Sequence, residues 1–302
     1  DTKELLKKNQ IGIIGVGETE QGKIPGKSSF HFLSEASKLA IEDAGIQKSD
    51  VDGVITAFSL VEETFMHCTT FADYIGINPK YFESVAIGGA TAVWMTAAAA
   101  MAINSGQAEV VLCVRGDNTL SGISSTGMIA LIREMCHGEF EFPFGLTTPG
   151  GYALMANRYL HETNGKREHL HSVAVTMREH AKLKENAMMK DDLTLDDIMA
   201  TRLLASPLTK FDCSIVSDGG AAFIVTTSAK AKELGLKRDP IYLHGMGQGF
   251  SHQYLTSCEN LEQIYGAVEK SGKKAFETAG MTNDNVDITF LYDCFTITTL
   301  LE

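Results

Sequence analysis

The feature that most constrains this 302-residue chain is an internal repeat. Residues 36–55 read ASKLAIEDAGIQKSDVDGVI, and residues 271–290 read SGKKAFETAGMTNDNVDITF. At a constant offset of 235, Lys38, Ala40, Glu42, Ala44, Gly45, Val51 and Asp52 match Lys273, Ala275, Glu277, Ala279, Gly280, Val286 and Asp287. Each copy spells an amphipathic helix that ends at Ala-Gly, with the glycine suited to a left-handed C′ position. A short polar connection then leads through Val-Asp into a β-branched strand. An apolar, glycine-bearing strand precedes each copy, IGIIGVG at 11–17 and IYLHGMG at 241–247. A chain built this way is expected to be an α/β protein of two related halves.

In the first half the alternation continues. Tyr81–Ile87 is strand-like, Ala90–Ser105 is an Ala-rich helix, and Glu109–Val114 (EVVLCV) is a continuous apolar run of the kind found in fully buried strands. The second half has no equivalent before Glu302, and its remaining helix and strands are expected to lie outside this chain, because a half-built sheet leaves an open edge. Residues 119–205 differ in character: SGISSTG, the aromatic EFEFPFGLTTPGG, and two helical stretches near 152–163 and 168–186. They are read as an insertion carried by the α/β core, either a cover for the substrate or a cap that only packs. The expected division is 1–118 for the first half, 119–205 for the insertion, 206–240 for the end of the first half and a linker, and 241–302 for the start of the second.

Charge narrows the partners. Lys and Arg number 26 against 38 Asp and Glu, a formal charge of −12, which repels phosphate backbones and anionic lipid. The longest mainly apolar run, Ala90 to Ile103, is 14 residues, short of the roughly 20 that a spanning helix needs. DTKELLKKNQ at the start lacks the apolar stretch of a signal peptide. The six cysteines (68, 113, 136, 213, 258, 294) lie far apart with no zinc-ligand spacing, so neither a disulfide scaffold nor a metal site is expected, and the protein is read as cytoplasmic.

Several motifs carry two readings. Gly12, Gly15 and Gly17 follow an apolar strand but do not open into a helix as a dinucleotide fingerprint requires, and are read as permitting a tight strand exit. Gly88-Gly89-Ala90-Thr91, between a strand and a helix, either offers backbone N–H groups to an anion or a thioester oxygen, or only allows close packing. His161, His169, His171 and His180 fall among charged residues and are read as solvated; His137 and His252 are loop residues with no partner evident. Cys113 is read as an inert core thiol, whereas Cys68 and Cys213, near loops, are candidates for reactivity. Tyr292-Asp293-Cys294-Phe295 gathers ionisable side chains at a strand end, where α/β folds place their sites, although an ordinary strand end reads the same way.

In order and spacing, IGIIGVGETE, AIEDAGIQKSDVDGVI, GGYALMANRYLHETNG with HSVAVTMREHA, SPLTKFDCSIVSDGGAAFIV and DCFT together resemble the thiolase superfamily, close to the sterol-carrier-protein-type thiolases. The resemblance implies two βαβαβαββ halves in a five-layered α-β-α-β-α fold with an inserted loop domain, the second half incomplete here. It also shows departures. The family's nucleophilic Cys position falls on Gly89, its HDCF motif reads Tyr292-Asp293-Cys294-Phe295, and its Gly-His-Pro and Cys-x-Gly segments would lie beyond Glu302. These departures resemble a Cys-lacking branch of aldolases that cleave steroid side chains.

The resemblance therefore implies acyl-CoA thioesters as substrates, no tightly bound cofactor or metal, and retro-aldol C–C cleavage. Tyr292 would act as the base with Asp293 as the neighbouring charge, and Gly88 and Gly89 would donate to the thioester oxygen. It implies an OB-fold/zinc-ribbon acyl-CoA-binding partner chain, and a homodimer formed through the strand after the nucleophile helix, here Glu109–Val114. Two alternatives stand beside it: a thiolase-type acyltransferase with its nucleophile from elsewhere, such as Cys68 or the C-terminal segment expected beyond Glu302, and a non-catalytic acyl-CoA or lipid carrier or scaffold subunit.

Overall fold

The computed structural model describes residues 10–62 and 64–302; residues 1–9 of the N-terminal segment read above for a signal peptide lie outside them. The described chain forms two compact units. One comprises the residues up to Ile123, Ser217–Met246 and Phe276–Met281, and the other Ser124–Val216, Gly247–Ala275 and Thr282–Glu302.

In the first unit, β1 (Ile11–Glu18), α1 (Ser29–Ala44), β2 (Gly53–Ala57), α2 (His67–Ile75), β3 (Tyr81–Val85), α3 (Thr91–Asn104), β4 (Val110–Asp117), β5 (Gly219–Thr227) and β6 (Ile241–Tyr242) follow in order. They build one mixed sheet in the order β3-β2-β4-β5-β1-β6. Strand β2 runs parallel to β3 and β4, while β5 pairs antiparallel with β4 and β1, and β1 with β6. Side chains alternate across the sheet with a period of two. Val54, Leu112 and Ile224 pack with Leu33, Ala36 and Ala40 of α1 and Phe71 of α2. Ile55, Val111, Cys113 and Val225 pack with Met95, Ala98 and Ala99 of α3 on the opposite face. Both faces of β4 are thus covered, which is why its sequence is apolar without interruption.

That placement corrects one expectation. β4 lies between β2 and β5, with both edges paired inside the chain, so it is not the strand at a subunit interface. Among the described residues the sheet ends at β3 on one side, which pairs only with β2, and at two-residue β6 on the other.

The repeat reappears in three dimensions. Helix α1 is closed by Gly45 at φ 72, and the later helix Leu261–Ala279 by Gly280 at φ 68. A Cβ on Gly17 would stand 2.4 Å from the Ala36 carbonyl oxygen, 2.5 Å from the Ala40 nitrogen and 2.7 Å from the Leu39 Cβ. On Gly247 it would meet the Ser271 oxygen at 2.0 Å, the Ala275 nitrogen at 2.7 Å and the Lys274 Cβ at 2.9 Å, the same three helix positions moved by 235. Likewise the Val16 N–H donates to Asp43 Oδ2 at 2.9 Å, and the Met246 N–H to Thr278 Oγ1 at 3.0 Å. Gly15 and Gly17 thus admit a helix lying against the strand, while Gly12 admits the close approach of Ile241; a strand exit does not account for them.

The second copy departs from the first after its helix. Asp52 Oδ1 accepts the Glu109 and Val110 N–H groups at 2.8 and 2.9 Å, tying β2 to the start of β4. The expected strand at 286–290 is instead unpaired, with Ile288 73% and Phe290 93% exposed, and of 241–247 only Ile241–Tyr242 is strand. A strand exists by its ladder, and among the described residues none runs beside 286–290 to complete one.

The second unit is mainly helical: α4 (Ser125–Met135), α5 (Thr148–Glu162), α6 (Arg167–Lys182), most of α7 (Leu261–Ala279) and α8 (Thr296–Leu301), with a small hairpin of Leu203–Ala205 and Leu208–Thr209. Thr147 caps α5 by accepting the Gly150 N–H. Its core gathers Ala153, Ala156, Leu170, Leu208, Phe295 and Ile297.

Candidate active site

The DCFT segment is held from several directions. Phe295 stacks on Tyr152 of α5, with ring centroids 4.0 Å apart and planes 17° from parallel. Phe295 also forms an antiparallel bridge with Cys213, and the Ser214 N–H donates to the Cys294 carbonyl at 2.9 Å. Cys294 Sγ lies 3.4 Å from the Tyr152 hydroxyl. Thr296, the first residue of α8, donates its hydroxyl to Asp212 Oδ1 at 3.0 Å. Upstream of these anchors the chain emerges: Tyr292 is 51% exposed, and its N–H donates to Glu302 Oε2 at 2.9 Å. Burial, with Asp293 nearby, raises the Glu302 carboxyl above its usual value.

Beneath the segment lies a buried pair that sequence reasoning missed. Asp212 and His171 of α6 are both fully enclosed, with His171 Nδ1 2.8 Å from Asp212 Oδ1. Asp212 Oδ2 accepts the Thr209 N–H at 2.7 Å and its hydroxyl at 2.8 Å. Burial alone would raise the Asp212 carboxyl, but the bonds from His171 and Thr209 outweigh it and hold the group below its ordinary value. A carboxylate that accepts at every turn fixes the imidazole tautomer, with the proton on Nδ1. The solvated reading of His171 is thus overturned. Its charged neighbours in sequence point to other faces of the helix, and the only signal available was its place one residue beyond the core position Leu170.

In the first unit, Gly88 adopts φ +70, a conformation glycine enters without strain, and a Cβ there would meet nothing. Gly88–Ala90 form a single 3₁₀ turn leading into α3, which Thr91 clasps by accepting the Ile87 N–H at 3.1 Å and donating to the Gly88 carbonyl at 2.6 Å. The residues of this turn are exposed. Gly89 therefore stands at the head of the helix that follows β3. Gly88 and Gly89 belong to the first unit, and Tyr292 and Asp293 to the second.

Cys68, Cys113 and Cys213 offer no evident nucleophile. Cys68 is buried on α2 with its thiol directed at the Val54 carbonyl, and burial pushes that thiol up. Burial raises Cys113 well above the ordinary value and lifts Cys213 to about 11. A thiol displaced upward is a poor thiolate, so the reactivity expected of Cys68 and Cys213 is corrected. His137 Nδ1 accepts the Glu139 and Phe140 N–H groups, and His252 Nδ1 lies 2.9 Å from Ser251 Oγ. Among the described residues no three His, Cys, Asp or Glu side chains are grouped to hold a metal ion, and no helix is long and apolar enough to cross a membrane.

Residues 247–302 match the family described as thiolase C-terminal domain-like. A steroid side-chain-cleaving aldolase of Thermomonospora curvata is 35% identical over 295 residues, spanning 94% of this chain and 74% of the relative. A 17-hydroxy-3-oxo-4-pregnene-20-carboxyl-CoA lyase of Mycobacterium tuberculosis is 31% identical over 304 residues, spanning 97% and 77%. An acetyl-CoA acetyltransferase of Methanocaldococcus jannaschii is also 31% identical, spanning 96% and 74%. The solved Ltp2-ChsH2(DUF35) aldolase superposes with a TM-score of 0.81 at 32% identity, covering 97% of this chain and 75% of its own.

Proposed function

The chain belongs to the thiolase superfamily, in its sterol-carrier-protein-type thiolase-like branch, and from that premise we propose that it is an acyl-CoA C–C lyase of retro-aldol type. The observation that carries this reading is Gly89. It occupies the head of the helix after β3, where the family's nucleophilic Cys belongs, and it has no side chain to acylate. A retro-aldol cleavage forms no acyl-enzyme. A base takes the β-hydroxyl proton, the C–C bond breaks as the hydroxyl carbon becomes a carbonyl, and the bonding pair passes to the thioester as an enolate that is then protonated.

Tyr292, exposed at the end of an anchored segment beside Asp293, is assigned the hydroxyl proton. The N–H groups at the Gly88–Gly89 turn are assigned the thioester oxygen, with the helix dipole favouring the developing negative charge. The substrate is a β-hydroxyacyl-CoA, with the steroid 17-hydroxy-20-carboxyl-CoA of the M. tuberculosis lyase as the first to try. Incubation should release the 17-ketone and propionyl-CoA in equal amounts, and mass spectrometry after acetyl-CoA exposure should find no acylated Cys. A stable acyl-Cys would overturn the assignment in favour of an acyltransferase; saturable CoA-ester binding without any bond change would favour a carrier.

Two features of assembly belong to the same proposal. An OB-fold/zinc-ribbon acyl-CoA-binding chain is the expected partner, supported by the DUF35 component named with the solved aldolase. The protein is a homodimer, with β3 as the pairing edge, since among the described residues β3 bonds only to β2, and Phe82 on it is exposed. Light scattering at low micromolar concentration should give about twice the 32.7 kDa chain mass, and a clean value at that mass would reject the dimer. The cytoplasm is the proposed location, in keeping with the cysteine usage.

A further inference from the structure

We propose that Asp212 is a positioning residue that, through Thr296, holds the Tyr292–Phe295 segment in its working geometry. The inference rests on the retro-aldol reading of Tyr292 and assigns that site its support.

A carboxylate sealed from water is retained only where hydrogen bonds replace its hydration. Asp212 meets that condition with four donors: His171 Nδ1 and Thr296 Oγ1 on one oxygen, the Thr209 N–H and hydroxyl on the other. Three of the four belong to α6 and the turn at Thr209, so Asp212 is fixed to that scaffold whether or not Thr296 takes part. Thr296 is the exception. It is the first residue of α8, four positions after Tyr292, and its hydroxyl is buried with Asp212.

The neighbouring contacts make this bond directional. Cys213, next to Asp212, forms the antiparallel bridge with Phe295, and Ser214 donates to the Cys294 carbonyl. Residues 212–214 therefore grip 294–296 side by side, by backbone at two positions and by carboxylate at the third. Stacking of Phe295 on Tyr152 sets the roll of the segment but does not fix its position along its axis. A charged acceptor at a fixed point does, because a charge-assisted hydrogen bond is short and directional. Tyr292 lies two residues before this clamp, its N–H held by Glu302, so displacement of Thr296 displaces the phenol.

The other face of the pair has its own consequence. With Nδ1 committed to Asp212, His171 Nε2 is buried without a hydrogen-bond partner among the described residues. His171 is therefore a second group that Asp212 orients, through the same oxygen that takes the Thr296 hydroxyl.

The test uses the 302-residue chain, with 17-hydroxy-3-oxo-4-pregnene-20-carboxyl-CoA as the probe. Thr296→Val keeps the branched shape and removes the donor; Thr296→Ser keeps the donor. Asp212→Asn keeps the size but presents an amide N–H to donors on one side. Thr296→Val is expected to lower kcat on the order of 10- to 100-fold with KM within about twofold, since a small misplacement of a reacting group costs rate and not ground-state binding. Thr296→Ser should restore most of the rate. In parallel, amide hydrogen exchange should speed up over 292–296 in Thr296→Val and Asp212→Asn, while 148–162 on α5 stays as in the wild type.

Wild-type kcat and wild-type exchange in Thr296→Val would overturn the proposal. So would exchange rising equally across 148–162, which marks a general loosening of the unit. A wild-type protein that leaves the probe uncleaved, whatever its exchange, sinks the catalytic reading of Tyr292. The positional link is then decided by exchange at 292–296 alone, and an unchanged rate there rejects it.

Discussion

Tyr292→Phe should abolish cleavage of a β-hydroxyacyl-CoA while leaving the protein folded. The expected fall in kcat is about 10²- to 10⁴-fold, the range for removal of a positioned general base, with little change in KM. The variant separates chemistry from structure because it deletes one oxygen and keeps the ring. The backbone bond to Glu302 and the anchors at 294–296 do not involve the phenol. The side chain is half-exposed, so its melting temperature should match the wild type within experimental error. Product analysis of the 17-ketone and propionyl-CoA over a long incubation is the decisive measurement. A Tyr292→Phe protein that turns over at the wild-type rate would remove Tyr292 from the mechanism and leave the exposed Asp293 as the next residue to test.

The second large effect is on stability. Gly17→Ala places a Cβ 2.4 Å from the Ala36 carbonyl oxygen and 2.5 Å from the Ala40 nitrogen. Both are backbone atoms of α1, so no rotamer change relieves the overlap. β1 cannot retreat either, because it is paired with β5 on one side and β6 on the other. Overpacking of this kind costs about 3 kcal/mol at the upper end of its usual range, which lowers the melting temperature by roughly 5 °C in a chain of this size. Gly247→Ala, with its Cβ 2.0 Å from the Ser271 oxygen, should be destabilised at least as much. Gly138→Ala is the control: nothing lies within 4 Å of its Cβ, so its change should stay within about 0.5 kcal/mol. Thermal melts of the three variants decide the matter, and wild-type melting of Gly17→Ala would mean that α1 does not lie on β1 as described.

The paired glycines show where sequence and structure meet. The identities at 36–55 and 271–290 exposed the repeated helix and its Ala-Gly end, and the thiolase resemblance accounts for the repeat. The strand glycines were visible too, but their purpose was not. They lie 230 apart while the helix positions lie 235 apart, so no single ungapped comparison aligns both. Only the contacts of Gly17 and Gly247 bring them into register.

The candidate site was legible unevenly. Gly89 and Tyr292 stood out as departures from a known motif, which is a comparison of residue types and requires no coordinates. His171 and Asp212 did not, since one sits in a densely charged helix and the other in a loop, 41 positions apart. The burial that gives a histidine and a carboxylate their meaning is a property of everything packed around them.

What the sequence determined by itself is what short-range order controls. Apolar runs and helical periodicity marked β1 through β4 with α1 and α3, though not α2, and Gly45 marked the end of α1. What the tertiary structure alone decided is how those elements find partners. EVVLCV reads identically for a strand buried within one sheet and for one at a subunit boundary, because both need two apolar faces; only the order β3-β2-β4-β5 puts β4 inside. VDITF has the composition of a strand, yet it remains unpaired among the described residues, since a ladder needs a neighbour that its own sequence does not supply.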